Sequence, residues 1–154
     1  LENKAVRTVL VIDLFQEVID WHKNRLVPMG VVLAEDKRCE LRQGDFFDLA
    51  RTTFDSNRKF DAVLLDIDHS PEHFLDEKNR YFYSAEGLED LRKQIREGGA
   101  FALWSNDPVD EKFTERLESI FGTAMTNNIE FENPYSNSTS VNSVYVARNT
   151  SPLL

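Results

Sequence analysis

Cysteine is nearly absent from this chain: Cys39 stands alone. No intrachain disulfide can form, and zinc sites built on paired Cys-x-x-Cys ligands are excluded. The start, Leu1-Glu2-Asn3-Lys4, has no secretory apolar segment, so a reducing, cytoplasmic setting is expected. Two Asn-x-Ser/Thr sites, at Asn137 and Asn149, then carry no expectation of glycosylation. Long apolar runs are lacking too, and none approaches the roughly 20 residues of a membrane span. Basic charge is scarce: 18 Lys and Arg face 27 Asp and Glu, a net charge of −9, and the pI is near 4.8. Nucleic acid and anionic lipid repel such a surface, so small molecules, cationic ones especially, are the expected partners. There is no Gly-x-Ser-x-Gly, no P-loop and no cysteine-nucleophile pattern. Asp66, Asp68 and His69 lie close in sequence without a regular ligand spacing, so no metal site is expected.

What is present is enough for one core: 154 residues, 41% of them hydrophobic, with no internal repeat and no domain boundary. Thr8 to Ile12 is a short, β-branched run that ends at Asp13 and reads as a buried strand. Phe15, Val18, Ile19, His22 and Leu26 follow at helical spacing, and Pro28 and Gly30 end that helix. Cys39 to Gln43 is a weaker strand leading to Gly44-Asp45, with a short helical turn over Phe46 to Arg51. Ala62 to Leu65 is the strongest strand and stops at Asp66. Ile67 to Arg80 is polar and long for an internal connection, which suits a functional loop. Ser84 caps a helix with Leu88, Leu91 and Ile95 on its buried stripe, and Gly98-Gly99 is expected to stop it. Phe101 to Trp104 is a strand ending at Ser105-Asn106. Asp107-Pro108 reads as the start of a helix through Phe113, Leu117 and Phe121, closed by Gly122. Two last strands, near 128–131 and 143–147, have no helix between them and should be antiparallel. The tail from Asn149 to Leu154 should fray, leaving one domain over residues 1–148.

This alternation predicts an α/β fold with an open, mostly parallel sheet and an antiparallel final strand. Ligands of such sheets sit at the carboxyl ends of the strands. Asp13, Asp45 and Asp66 all fall there and should line one edge of one sheet. An acidic residue at such a strand end can accept hydrogen bonds from ribose hydroxyls. Asp13 suits that role, or equally the capping of the next helix. Asp45 follows Gly44 and suits a turn. Asp66 ends the most apolar strand, where a carboxylate is costly unless paired, hydrated or used in chemistry, which makes it the candidate base. Among the histidines, His69 on the loop is the functional candidate. His22 lies on an apolar helix face, and His73 has no evident sequence partner. Phe46-Phe47 and Tyr81-Phe82-Tyr83 suit a core or a pocket wall.

From about Val6 to Arg148 the chain resembles the spermidine synthase (polyamine aminopropyltransferase) branch of the Rossmann-like class I S-adenosylmethionine-dependent methyltransferase fold. Asp13-Leu14-Phe15-Gln16-Glu17-Val18-Ile19-Asp20 is similar to the second-strand motif of that family. Gly44-Asp45-Phe46-Phe47 resembles its Asp-Gly-Phe segment, and Asp61-Ala62-Val63-Leu64-Leu65-Asp66 its fourth strand. The resemblance implies that Asp13 holds the ribose of S-adenosylmethionine or decarboxylated S-adenosylmethionine, that Asp45 and Phe46 lie at the adenine, and that Asp66 helps deprotonate an attacking amine. Asp68, His69 and Tyr83 would then face the polyamine acceptor. The family's first strand, its Gly-rich loop and its amino-terminal hairpin domain have no counterpart in these residues. His69 and Ser70-Pro71-Glu72 also replace the family's second Asp and the segment after it. Transfer by this chain is therefore expected to be weak or lost, and the uncovered apolar surface implies a homo-oligomer. A methyltransferase with another acceptor, and a non-catalytic nucleoside-binding or interaction module, are the competing readings.

Overall fold

The computed structural model describes residues 1–67, 69–135 and 138–150. The chain divides into two compact units, 1–49 and 50–154, where the sequence pattern shows no boundary.

In the first unit β1 (Val9–Asp13) and β2 (Cys39–Gln43) form a parallel pair in which Val9 aligns with Cys39 and Asp13 with Gln43. The helix after β1 is shorter than its apolar spacing predicts. α1 (Gln16–Lys23) ends at Asn24, and Arg25 takes φ 62°, a left-handed backbone that stops a helix. A second helix, α2 (Gly30–Glu35), follows where the Pro28 and Gly30 signals suggested only an ending. Gly30 lies close beneath α1, since a Cβ there would sit 2.7 Å from the His22 carbonyl. Arg38 gathers the chain start: its guanidinium donates to the carbonyls of Leu1 (2.6 Å) and Val6 (3.0 Å) while it pairs with Asp36 at 2.6 Å. That pairing holds the Asp36 carboxyl down at about 2. α3 (Phe46–Arg51) begins in this unit and runs past its last residue, Leu49.

In the second unit β3 (Phe60–Asp66), β4 (Ile95–Ser105), β5 (Gly122–Asn133) and β6 (Ser138–Asn149) form a four-stranded sheet in the order β3-β4-β6-β5. The β3–β4 ladder is parallel, and β4–β6 and β5–β6 are antiparallel. The antiparallel ending matches the expectation, but it supplies two ladders, so the sheet is mixed. Among the described residues no ladder joins β1 or β2 to this sheet. The three carboxyl-end aspartates thus belong to two sheets, not to one as the strand pattern predicts.

One face of the four-stranded sheet is the core. Val63, Leu65, Phe101, Leu103, Tyr145 and Ala147 are buried beneath α4 (Ala85–Gln94) and α5 (Glu111–Phe121), which contribute Leu88, Leu91, Phe113, Leu117 and Phe121. Aromatic edges tie the layers: Phe82 meets Phe101 at 6.0 Å, Tyr83 meets Phe113 at 5.7 Å, and Phe113 meets Tyr145 at 5.1 Å. The cap on α4 is as read, since Ser84 Oγ accepts from the Gly87 amide at 3.2 Å. Gly87 has no room for a side chain, because any Cβ would collide with the Tyr81 carbonyl. Two other signals fail. α4 ends at Gln94, and Gly98-Gly99 lies within β4. α5 starts at Glu111 with Asp110 as its cap, because the Tyr145 hydroxyl accepts from the Asp110 amide at 2.7 Å and fixes the turn there.

The last strand runs further than its apolar pattern suggests. Asn149 is buried, and its amide donates to the carbonyls of Ile95 (2.8 Å) and Arg96 (3.2 Å), joining the end of β6 to the start of β4. Residues 151–154 of the expected tail lie outside the described residues. Replacing Asn149 by Ala strands the buried Ile95 carbonyl and should lower the unfolding free energy by about 1–3 kcal/mol. Tyr135→Ala, at a fully exposed site, should shift it by less than about 0.5 kcal/mol, both read from urea denaturation.

Candidate functional site

Two carboxyl edges carry the chemistry-bearing residues. In the first unit, Asp13 ends β1 opposite Gln43, and Asp45 lies two residues past Gln43 on the neighbouring strand. The parallel register brings both carboxylates to one edge. The Phe15 amide donates to Asp13 Oδ1 at 2.8 Å and turns the chain into α1, which leaves Oδ2 without a bond among the described residues. The Phe47 amide donates to Asp45 Oδ1 at 2.9 Å, and the Gly44 amide donates to the Asp13 carbonyl at 2.9 Å, so the two strand ends are laced together. Phe46 is half-buried beside them and meets Phe47 edge-on at 5.7 Å. Carboxylate oxygens accept only, and ribose hydroxyls and an adenine amino group donate, so this donor–acceptor balance fits a nucleoside.

In the second unit Asp66 ends β3 opposite Trp104. The apolar run suggests a strand buried on both faces, but β3 alternates. Val63 and Leu65 are buried, while Leu64 and Asp66 are exposed. The carboxylate therefore keeps its water and avoids the desolvation cost inferred from sequence. Its side chain makes no hydrogen bond or ion pair among the described residues, which leaves both oxygens available.

The loop after Asp66 is anchored to the turn after β4. The Asn106 amide donates to the His69 carbonyl at 3.4 Å. His69 is 5% exposed, and its Nε2 is 2.6 Å from the hydroxyl of Tyr83, itself 2% exposed. Both residues assigned to an acceptor molecule are thus packed inside, hydrogen-bonded to each other, and burial pushes the Tyr83 hydroxyl above its usual range. Asp68 lies outside the described residues.

Sequence reasoning did not find the junction of Ser70, His73 and Asp107. His73 Nδ1 is 2.7 Å from Asp107 Oδ2 and 3.4 Å from Ser70 Oγ. These are the residue types of a hydrolase triad in another geometry, with serine and aspartate on the same ring nitrogen. Ser70 is buried, and its Oγ accepts from the His73 amide at 3.1 Å, so it serves the turn. Ser143 Oγ donates to the Asp107 carbonyl at 2.7 Å, which extends the junction to β6. Spacings of 3 and 34 residues carry no sequence signal. Among the described residues no group of three or more His, Cys, Asp or Glu side chains is placed to hold a metal ion, and no helix is long and apolar enough to cross a membrane.

Comparison with known proteins follows the same lines. Residues 1–132 match the Spermine/spermidine synthase domain family. The polyamine aminopropyltransferase of Sulfolobus acidocaldarius is 27% identical over 108 residues, which cover 70% of this chain and 34% of that protein. That of Saccharolobus islandicus is 28% identical over the same span. The chain therefore covers about a third of the length of the curated relatives it matches. Among solved structures, a spermidine synthase in complex with the transition-state analogue AdoDATO superposes with a TM-score of 0.63 at 14% identity, over 99% of this chain and 48% of that one. A probable spermidine synthase from Corynebacterium glutamicum gives 0.62 at 16% identity, over 92% and 47%. A SAM-dependent O-methyltransferase from Thermotoga maritima gives 0.55 at 12% identity, over 96% and 52%. These likenesses establish the Rossmann-like methyltransferase fold.

Hydrogen bonding from Ser70, then from His73, holds the Asp107 carboxyl below its usual range. A depressed folded value means that its contribution is present above the unfolded value and lost as pH falls through the folded one. Asp107→Asn should thus lower the urea midpoint near neutral pH, and its difference from the unaltered chain should shrink steadily below about pH 4.

Proposed function

Because the chain belongs to the spermine/spermidine synthase family, we propose that its carboxyl edges serve aminopropyl transfer from decarboxylated S-adenosylmethionine to a polyamine. The observation that carries this reading is Asp66, an exposed carboxylate at the end of β3 that no neighbour among the described residues occupies. Decarboxylated S-adenosylmethionine supplies a sulfonium leaving group: the bond from sulfur to the propyl carbon breaks as the amine nitrogen bonds to that carbon. The nitrogen must lose a proton to attack, and Asp66 accepts it directly or through water. Asp13 takes the ribose hydroxyls on its open oxygen, with Asp45 and Phe46 at the adenine. Asp68 belongs to the acceptor side. His69 and Tyr83 act on that side through their shared hydrogen bond, which sets the shape of the loop after Asp66. The acidic surface favours a cationic acceptor and disfavours nucleic acid. The protein works in the cytoplasm as a homodimer.

Methyl transfer from S-adenosylmethionine is the second reading, supported by the methyltransferases among the superposable structures. The two differ in their donor. Calorimetry with methylthioadenosine should give similar dissociation constants for the unaltered chain and Asp66→Asn. The Asp13→Ala variant should bind about 10–100-fold more weakly, the loss expected of charge-assisted hydrogen bonds. Any transfer to putrescine should fall about 10²–10⁴-fold in Asp66→Asn. Transfer that survives Asp66→Asn, or methyl transfer from S-adenosylmethionine in its place, would overturn the reading.

A further inference from the structure

The second unit holds a cleft of about 310 Å³ at the amino end of β3, away from both carboxyl edges. The loop that enters β3 lines it with Thr53, Ser56, Asn57, Arg58 and Lys59, and the last turn of α4 lines it with Lys93. β3 runs seven residues from here to Asp66, a length of about 20 Å, so the two places are separate.

The loop is held in shape by specific contacts. Phe54 is buried and meets Phe60 edge-on at 5.9 Å. Its amide donates to Gln94 Oε1 at 2.7 Å, and Gln94 Nε2 donates to the Ala50 carbonyl at 2.7 Å, which ties the loop to α4. Asp55 accepts from the Asn57 amide at 2.9 Å and pairs with Arg58 at 2.8 Å. The Arg58 guanidinium also lies 5.6 Å from the centre of the Phe60 ring, so its charge is set in place before any ligand arrives.

Charge distinguishes this cleft from the rest of the chain. Acids outnumber bases 27 to 18 overall, yet the lining carries three bases, Arg58, Lys59 and Lys93, and one acid, Asp55. Lys93 pairs with Asp90 at 3.0 Å, with its side chain 62% exposed. Such an exposed pair contributes little and exchanges readily for a stronger anion. Lys59 makes no ion pair or side-chain hydrogen bond among the described residues. The hydroxyls of Thr53 and Ser56 and the side-chain amide of Asn57 add neutral donors. Every lining residue is polar or charged, which selects an ionic ligand over an apolar one.

We propose that this cleft binds a small molecule that bears phosphoryl groups, with Arg58, Lys59 and Lys93 on the phosphoryl oxygens. Phosphoryl oxygens are charged acceptors, and guanidinium, ammonium and hydroxyl donors answer them. The volume reaches the lower end of the range of small-molecule sites, roughly 300–1,000 Å³. A nucleic acid would instead meet the acidic surface around the cleft, in a chain of net charge −9.

The test is titration of the isotopically labelled chain with inorganic pyrophosphate and, separately, with ribose 5-phosphate, against a sodium chloride blank of matched ionic strength. Saturable shifts of the backbone amides of residues 56–59 are expected in both arms, and the tighter arm tells whether the phosphoryl group comes free or on a sugar. Lys59→Ala and Lys93→Ala, both at exposed sites, should keep the native spectrum elsewhere. Each should weaken binding about fivefold or more, as loss of a hydrogen bond to a charged group requires. Lys112→Ala, at an exposed site on α5, should leave binding unchanged. Shifts no larger than those of the chloride blank overturn the proposal. So does a dissociation constant indifferent to both cleft variants, or one that Lys112→Ala weakens equally. Shifts centred on Phe15 and Phe47 instead would set the ligand at the carboxyl edge and overturn it too.

Discussion

Strand β4 constrains more of this structure than any other element. It has a parallel partner on one side and an antiparallel partner on the other, and its side chains must alternate between faces. Phe101 and Leu103 face the helices and are wholly buried with the stacked Phe121 and the edge-on Phe82. Once they are placed, the opposite parity of every paired strand is assigned to the other face. The helix-covered core and the exposed Leu64 of β3 are two outcomes of one register.

The same strand organises the candidate chemistry. The turn leaving β4 supplies Asn106 and Asp107, which hold the loop that follows Asp66 through the His69 carbonyl and the His73 ring. β6 adds Ser143 and Tyr145, one bonded to the Asp107 carbonyl and the other to the Asp110 amide. Two loops from different strands are thus fixed beside one carboxylate by bonds that are mostly backbone-directed. Such a scaffold leaves Asp66 open while restraining the residues around it, which suits a group that must accept a proton from a bound molecule.

Much of this was legible in the sequence because strands and caps are local. Thr8 to Ile12, Ala62 to Leu65 and Phe101 to Trp104 read as apolar runs ending in polar residues, and the positions of Asp13, Asp45 and Asp66 at strand ends followed. The Ser84 cap was legible for the same reason. What was not legible depends on distant contacts. Asp107-Pro108 reads as a helix start, but a tyrosine hydroxyl 35 residues away fixes the turn at Asp110. Gly98-Gly99 resembles a helix stop, but pairing with β3 draws that stretch into β4. His69 looks like a surface residue of a polar loop until the fold buries it against Tyr83. The division into two sheets likewise has no local signature, since a strand does not record its neighbour.

The claim on which the functional account rests is that the acidic strand ends Asp13 and Asp45 receive a nucleoside. Titrating the isotopically labelled chain with methylthioadenosine and following backbone amide resonances tests it directly. The account predicts saturable shifts centred on the amides of Phe15 and Phe47, which donate to those two carboxylates. Amides of Phe15 and Phe47 that stay unmoved at saturating ligand would contradict it.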